Sequence, residues 1–403
     1  MLQRVVITGI GCISSFGIGQ RALADALLAG LSGIRPITAF DTSTCRSHCA
    51  ATLDGFDPTA FISPLKLRRV DAVGRLALVC ARLLLDDSAL AIGAGGSDDL
   101  GVALGTLTAG MDSTIEYLQG LNRFGPTGAP ALLFSNTVSN ASASLCAIEH
   151  RLRGPNVTFN QREASSLAAI AYASGLIRDG RVAAMISGGA DRLEETFFKA
   201  QDRFGPFARD EISRPFDRHR RGFVPGEVGA LLLFEAADVA AARGARVYGE
   251  LLGIGMTASR SELNGWPIDA SGTARAMQMA LDDAELPASA VDAVFAAANG
   301  SKRLDTLEAA AIRTVFGSRD VPVVSLKGAI GESGAAGAAA LVVALLTMVD
   351  GMVPPTVGFS TPDPECLVSV SREARPVAGP TFLVNAVASG GTSYSLLARA
   401  ATP

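Results

Sequence analysis

A β-branched run that stays apolar without alternating has to bury both faces of its strand. The chain opens on such a run, Val5-Val6-Ile7-Thr8-Gly9-Ile10-Gly11, closed by glycines. A strand of this kind needs a sheet covered by helices on both sides. Similar runs recur at Leu100 to Leu104, Val182 to Ser187, Ala230 to Phe234, Val291 to Ala296, Val321 to Leu326 and Phe382 to Val387. Helical periodicity fills the intervals: Gln20 to Ala29, Leu65 to Leu85, Glu163 to Arg178, Thr273 to Ala284, Leu304 to Val315 and Gly334 to Met348. Strand and helix alternate, which predicts an α/β class. An alanine-rich stretch between two strand-like runs, Ala236 to Ala245, marks a junction between two halves, residues 1–244 and 245–403, expected to pack as one unit.

Charge and composition remove several classes of function. The net charge is −4, and no Lys/Arg run is long enough to follow a phosphate backbone, so no nucleic-acid partner is expected. The short run Arg218-His219-Arg220-Arg221 reads as a solvated loop. Six cysteines in 403 residues are too sparse for a disulfide scaffold, and Met1-Leu2-Gln3-Arg4 leads into a strand without a signal-peptide shape. A cytoplasmic location is expected. The longest apolar stretch, Gly334 to Val349, is short of the ~20 residues that cross a bilayer, so it reads as a buried helix and no membrane span is expected.

Local motifs are weak taken singly. Gly9-Ile10-Gly11 follows a strand, but Ser14 stands where a dinucleotide fingerprint needs its third glycine, so these read as structural turn glycines. Cys45-Arg46-Ser47-His48-Cys49 lacks a second ligand pair at zinc spacing, and no metal is expected. Only His48, His150 and His219 are available as imidazole bases. The segment from Gly154 to Ser166 runs from a strand directly into a helix beginning about Glu163. Such a turn presents a nucleophile in many acyl-transfer enzymes, yet here it presents a glutamate, and an acidic residue in a first helical turn is also simply favourable.

Taken together, several blocks resemble the β-ketoacyl-acyl carrier protein synthases of the thiolase fold, over nearly the whole chain. They are Val5 to Gly11, Phe40-Asp41-Thr42-Ser43, Leu152-Arg153-Gly154-Pro155, Ser187-Gly188-Gly189-Ala190, Arg214-Pro215-Phe216-Asp217, Arg221-Gly222-Phe223-Val224-Pro225-Gly226-Glu227 and Gly390-Gly391-Thr392-Ser393. The resemblance implies a five-layered αβαβα sandwich of two pseudo-equivalent halves, with no metal, nucleotide or organic cofactor. It also shows departures. Glu163 stands where the family places its nucleophilic cysteine. The first catalytic histidine is absent from Asn299-Gly300-Ser301-Lys302-Arg303-Leu304-Asp305, which carries a local deletion, and Glu332 replaces the second. Lys327 alone of the usual set survives, and it is expected to pair with a carboxylate.

A carboxylate cannot hold an acyl chain as a thioester, and two glutamates oppose developing negative charge where imidazoles would stabilise it. The chain therefore resembles the chain-length factor, the ketosynthase β subunit of type II polyketide synthases. That implies a non-catalytic partner that heterodimerises with an active ketosynthase, which receives the growing chain on acyl carrier protein. The family's acyl tunnel ends at the subunit interface, and the matching segments place Thr108, Met111, Asp112, Ile115, Leu132, Leu133 and Phe134 there. The alternative is a malonyl-acyl carrier protein decarboxylase of the loading-ketosynthase type, a group that keeps both histidines where this chain keeps neither.

Overall fold

The structure is a computed structural model that describes residues 2–68, 70–205 and 207–401. One mixed sheet runs through it in the order Asn156–Phe159, Leu100–Gly105, Ala184–Asp191, Val228–Ala236, Val5–Ser14, Gly249–Ala258, Thr392–Ala400, Thr381–Val387, Ala293–Phe295, Pro322–Val324 and Ser369–Val370. Outward from the centre the two sides repeat one pattern. Val5–Ser14 and Gly249–Ala258 sit in the middle, each is followed by two antiparallel neighbours, and two parallel strands come next. The two central strands join antiparallel over Val5 to Ile7 and Gly249 to Leu251.

Three buried clusters separate the layers. The central one surrounds the helices Ser165–Arg178 and Ala336–Val349, pressed between the two halves of the sheet. Ala336–Val349 is apolar all round and is buried from Ala336 to Met348, as a helix with no polar face must be. A second cluster lies under the helix Ala72–Ser88 on one outer face, and a third under Ser271–Asp283 and Lys302–Phe316 on the other. This is the α/β sandwich of five layers with a thiolase-like arrangement.

Glycines set the distance between outer helices and sheet. A β-carbon at Gly11 would lie 1.9 Å from the Cys80 carbonyl oxygen, and one at Gly255 would lie 1.8 Å from that of Ala276. Gly9 and Gly11 are therefore mid-strand residues where a helix backbone touches the sheet, and the expectation of a turn there is corrected.

Other expectations also shift. The single helix expected over Leu65 to Leu85 is two, Pro64–Leu67 and Ala72–Ser88, because Asp71 leaves the helical path and caps the second by accepting from Gly74 N at 2.8 Å. The strands Gly249–Ala258 and Thr392–Ala400, and the helices Met111–Phe124, Ala141–His150 and Glu195–Phe204, were not anticipated. Among the described residues no helix is long and apolar enough to cross a membrane.

Candidate functional site

The strand Asn156–Phe159 ends beside the central helix, and the chain enters that helix through a tight turn, Arg162–Ala164. Arg162 takes a left-handed backbone, φ 52°, at a cost of about 1–2 kcal/mol for a residue with a β-carbon. Ser165 stabilises the turn: its hydroxyl donates to Arg162 O at 2.6 Å and accepts from Gln161 N at 2.9 Å. The result turns Glu163 inward, where it is 5% exposed.

Ser389 meets it from the far end of the chain. Its backbone N–H donates to Glu163 Oε2 at 2.8 Å, and its hydroxyl lies 3.0 and 2.9 Å from the two carboxylate oxygens. Arg162 Nε donates to the same hydroxyl oxygen at 2.6 Å and stands 3.9 Å from Glu163 Oε2. After Ser389, Gly390 supplies a backbone at φ 127°, and Gly391 is needed for close approach, because a β-carbon there would lie 2.0 Å from Ser259 O.

A second buried carboxylate lies in the same electrostatic neighbourhood. Glu332 accepts from Lys327 Nζ at 2.8 Å, from Asn299 Nδ2 at 2.7 Å and from Ser333 N at 3.1 Å. Its backbone is held by Gly226 N to Glu332 O at 3.0 Å and Glu332 N to Val224 O at 2.8 Å. Only glycine fits at 226, since a β-carbon there would lie 1.9 Å from Ile330 O. Burial pushes the Glu332 carboxyl up to about 7; the Lys327 cation opposes the rise and the Glu163 charge adds to it.

The segment where a histidine was missing supplies Asn299, whose side chain reaches Glu332 and whose backbone N–H donates to Asp305 at 3.0 Å. Asp305 also accepts from Gly300 N and Phe216 N, and burial pushes its carboxyl up to about 7 as well. Beneath it lies Arg220, with Nε 3.7 Å from Asp305, Nη2 donating to Thr306 Oγ1 at 2.8 Å, Nη1 donating to Asp217 O at 2.8 Å, and Nη1 paired with Asp363. The expectation of a solvated basic run holds for Arg218, His219 and Arg221, which are exposed, and is corrected at Arg220, which is 1% exposed because three polar segments converge on its guanidinium.

A cleft of about 250 Å³ opens onto Glu163, Arg162 and Ser389, lined also by Phe197, Phe204, Phe223 and Trp266 and, among the described residues, by no cysteine or histidine. In the Cys45 to Cys49 segment, the Cys49 thiol lies 3.3 Å from Glu211 Oε2 and His48 Nδ1 lies 3.1 Å from Thr42 Oγ1. Among the described residues no group of three or more His, Cys, Asp or Glu side chains is placed to hold a metal ion.

The residues expected at a tunnel end lie elsewhere than on this cleft. Thr108 is buried, its hydroxyl donating to Arg192 O at 2.9 Å. Met111, Asp112 and Ile115 are half-buried on the helix Met111–Phe124, with Asp112 accepting from Ala72 N at 3.1 Å. Leu132, Leu133 and Phe134 lie on the turn Ala131–Asn136; Leu132 and Phe134 are 65% and 64% exposed, and Phe134 packs its ring against Tyr117. Asn299, Ser389 and Arg220 are the residues that sequence reasoning missed. The signal for Asn299 was its place in the shortened histidine segment; Ser389 sits directly before the Gly390-Gly391 pair that carried the resemblance.

The two high carboxyls set an expected pH dependence. Asp305 and Glu332 each have a folded value near 7, above the 3.8 and 4.5 of the free groups. The folded chain then binds protons that the unfolded chain releases, so their stabilising effect is complete below the free values and is lost as pH rises through 7. Unfolding free energy is expected to fall over that window by up to about 1.4 kcal/mol per pH unit for each group. Urea unfolding across this range checks it, and Glu332→Gln should make the slope shallower. A slope unchanged by that substitution contradicts the assignment.

The family model described as Beta-ketoacyl synthase, N-terminal domain, matches residues 2–239, and that described as Beta-ketoacyl synthase, C-terminal domain, matches residues 248–360. The chain is 32% identical over 410 residues to the 3-oxoacyl-[acyl-carrier-protein] synthase 2 of Coxiella burnetii, covering 98% of each chain. It is 35% identical over 393 residues to the tetracenomycin polyketide synthase ketoacyl synthase alpha subunit of Streptomyces glaucescens, covering 93% of this chain and 92% of that one. Among solved structures it is similar to the ishigamide ketosynthase/chain length factor, with 30% identity, a TM-score of 0.89 and 99% coverage of both chains.

Proposed function

The chain belongs to the β-ketoacyl synthase family, and from that premise we propose that it is the non-catalytic, chain-length-setting subunit of a type II polyketide ketosynthase pair. One observation carries the reading. At the turn where acyl transfer needs a thiolate, the chain presents Glu163, already bonded to Ser389, and among the described residues no thiol or imidazole lines the cleft it faces. A loading-type decarboxylase has no imidazole here to stabilise an enolate, so that alternative finds no support in these residues.

In this reading residues 1–244 and 245–403 are two similar halves packed as one unit, supported by the repeated strand order. The protein works in the cytoplasm, which its six unpaired cysteines suit. Its partners are an active ketosynthase and an acyl carrier protein bearing the growing chain. The exposed apolar side chains Leu118, Phe124, Leu132, Phe134, Val138 and Ile148 support a heterodimer interface, and obligate interfaces bury about 2,000 Å² or more. Thr108, Met111, Asp112, Ile115, Leu132, Leu133 and Phe134 set the length of the chain that the pair can hold.

Product length tests this. In the pair reconstituted with carrier protein and malonyl donor, Met111→Ala and Phe134→Ala should lengthen the products read by mass spectrometry, and Met111→Phe should shorten them. The physical reason is that overpacking a closed end costs about 1–3 kcal/mol. If these substitutions alter only yield, the length-setting role is wrong.

A further inference from the structure

We propose that Ser389 and Arg162 form a receptor for a small carboxylate that Glu163 fills from within, so that removing this internal occupant opens the site to a carboxylate from solvent. The inference goes beyond the chain-length reading and stands or falls separately from it.

The donors converge on one carboxylate. Ser389 offers its backbone N–H at 2.8 Å and its single hydroxyl proton at 2.9 or 3.0 Å. Arg162 Nε donates to the Ser389 hydroxyl oxygen at 2.6 Å, which directs the hydroxyl proton to the carboxylate, and sets a cation 3.9 Å from Glu163 Oε2. Groups other than Glu163 hold these donors in place. Gly390 N donates to Gly265 O at 2.9 Å and Ser259 N to Gly391 O at 2.8 Å, which fixes the loop that follows Ser389. Arg162 Nη1 also reaches Asn264 Oδ1 at 3.4 Å, and its backbone oxygen is tied to Ser165 Oγ at 2.6 Å. Donors held this way stay aimed when their occupant is gone.

Size and access agree. Glu163→Ala removes a methylene and a carboxylate, the heavy atoms of acetate. The vacated space adjoins the cleft of about 250 Å³ that leads past Phe197, Phe204 and Trp266 to the surface. In the wild-type chain Glu163 therefore keeps the receptor closed to a free carboxylate, such as that of a malonyl group, arriving through that cleft.

The test titrates acetate into the Glu163→Ala protein and follows ¹³C-acetate line broadening together with the unfolding midpoint. Saturable binding with a Kd on the order of 10 mM is expected, well inside the ceiling of about −1.5 kcal/mol per heavy atom that bounds a ligand of four heavy atoms. Acetamide, which has the same shape without the charge, should bind much more weakly. Wild-type protein should show no saturable acetate binding, and Ser389→Ala added to Glu163→Ala should weaken acetate by roughly tenfold, the loss of one hydrogen bond. A folded Glu163→Ala protein with no saturable binding, or wild-type protein that binds acetate equally well, overturns the proposal. A measurement on the wild-type chain covers the case in which the variant fails to fold. Amide hydrogen exchange should find Ser389 N–H protected, and exchange at the rate of a free amide overturns the receptor.

Discussion

Arg220→Met is expected to destabilise the folded chain by about 3–5 kcal/mol above pH 7, the range for removing one member of a buried ion pair. The guanidinium is 1% exposed and engages Asp305, Asp363, Thr306 and the Asp217 carbonyl, so a methionine of similar length leaves two acids without their cation. The loss also spreads toward the cleft, because Asp305 holds the backbone N–H groups of Asn299 and Gly300. Its pH dependence has a definite sign. Arg220 lowers the Asp305 carboxyl against a burial that raises it to about 7, so without Arg220 the folded value goes higher still. A raised folded value means stability lost as pH rises, and the deficit of the variant should grow from the acid to the alkaline side of 7. Urea midpoints at several pH values measure this. A change under about 1 kcal/mol throughout would contradict the buried network.

Lys327→Met is expected to have an effect of the same size, about 3–5 kcal/mol above pH 7, because it strands Glu332 near the Glu163 charge with Asn299 and the Ser333 amide as its remaining donors among the described residues. The double substitution Lys327→Met with Glu332→Gln should recover most of the loss, since the amide brings no charge to be left unpaired. A cycle over the four proteins isolates the pair. If Lys327→Met is as stable as wild type, Glu332 is not held as a buried ion pair.

Why the fold was legible and part of the site was not follows from where each signal lies. The runs at Leu100, Ala230 and Phe382 are β-branched or leucine-rich and unalternated, so burial on both faces could be read from them alone. Gly249–Ala258 was missed because Gly253 and Gly255, needed where the carbonyls of Ala280 and Ala276 press on the strand, interrupt its apolar pattern. Helical periodicity ran through Asp71 and hid a break that one capping hydrogen bond creates. Glu163, Lys327 and Glu332 were found because each occupies a position where a family motif leads the eye. Ser389 and Glu163 meet across 226 positions, and Asn299 and Glu332 across 33, so no local pattern announces either contact. Arg220 was misread for a related reason: its partners Asp305 and Asp363 lie 85 and 143 positions away, and a basic run with distant acids looks solvated.

The central claim is that this chain serves condensation without performing it. The direct measurement reconstitutes the pair with acyl carrier protein and malonyl donor, replaces the cysteine of the ketosynthase partner, and assays ketoacyl product by mass spectrometry with wild-type chain and with Glu163→Cys. Full activity of the unmodified pair and no product from either modified pair is the expected result, because a thiol restored at 163 still has the Glu332 carboxylate, bonded to Lys327 and Asn299, in its electrostatic neighbourhood where the chemistry needs imidazoles. Ketoacyl product formed after the partner's cysteine is gone would contradict the account.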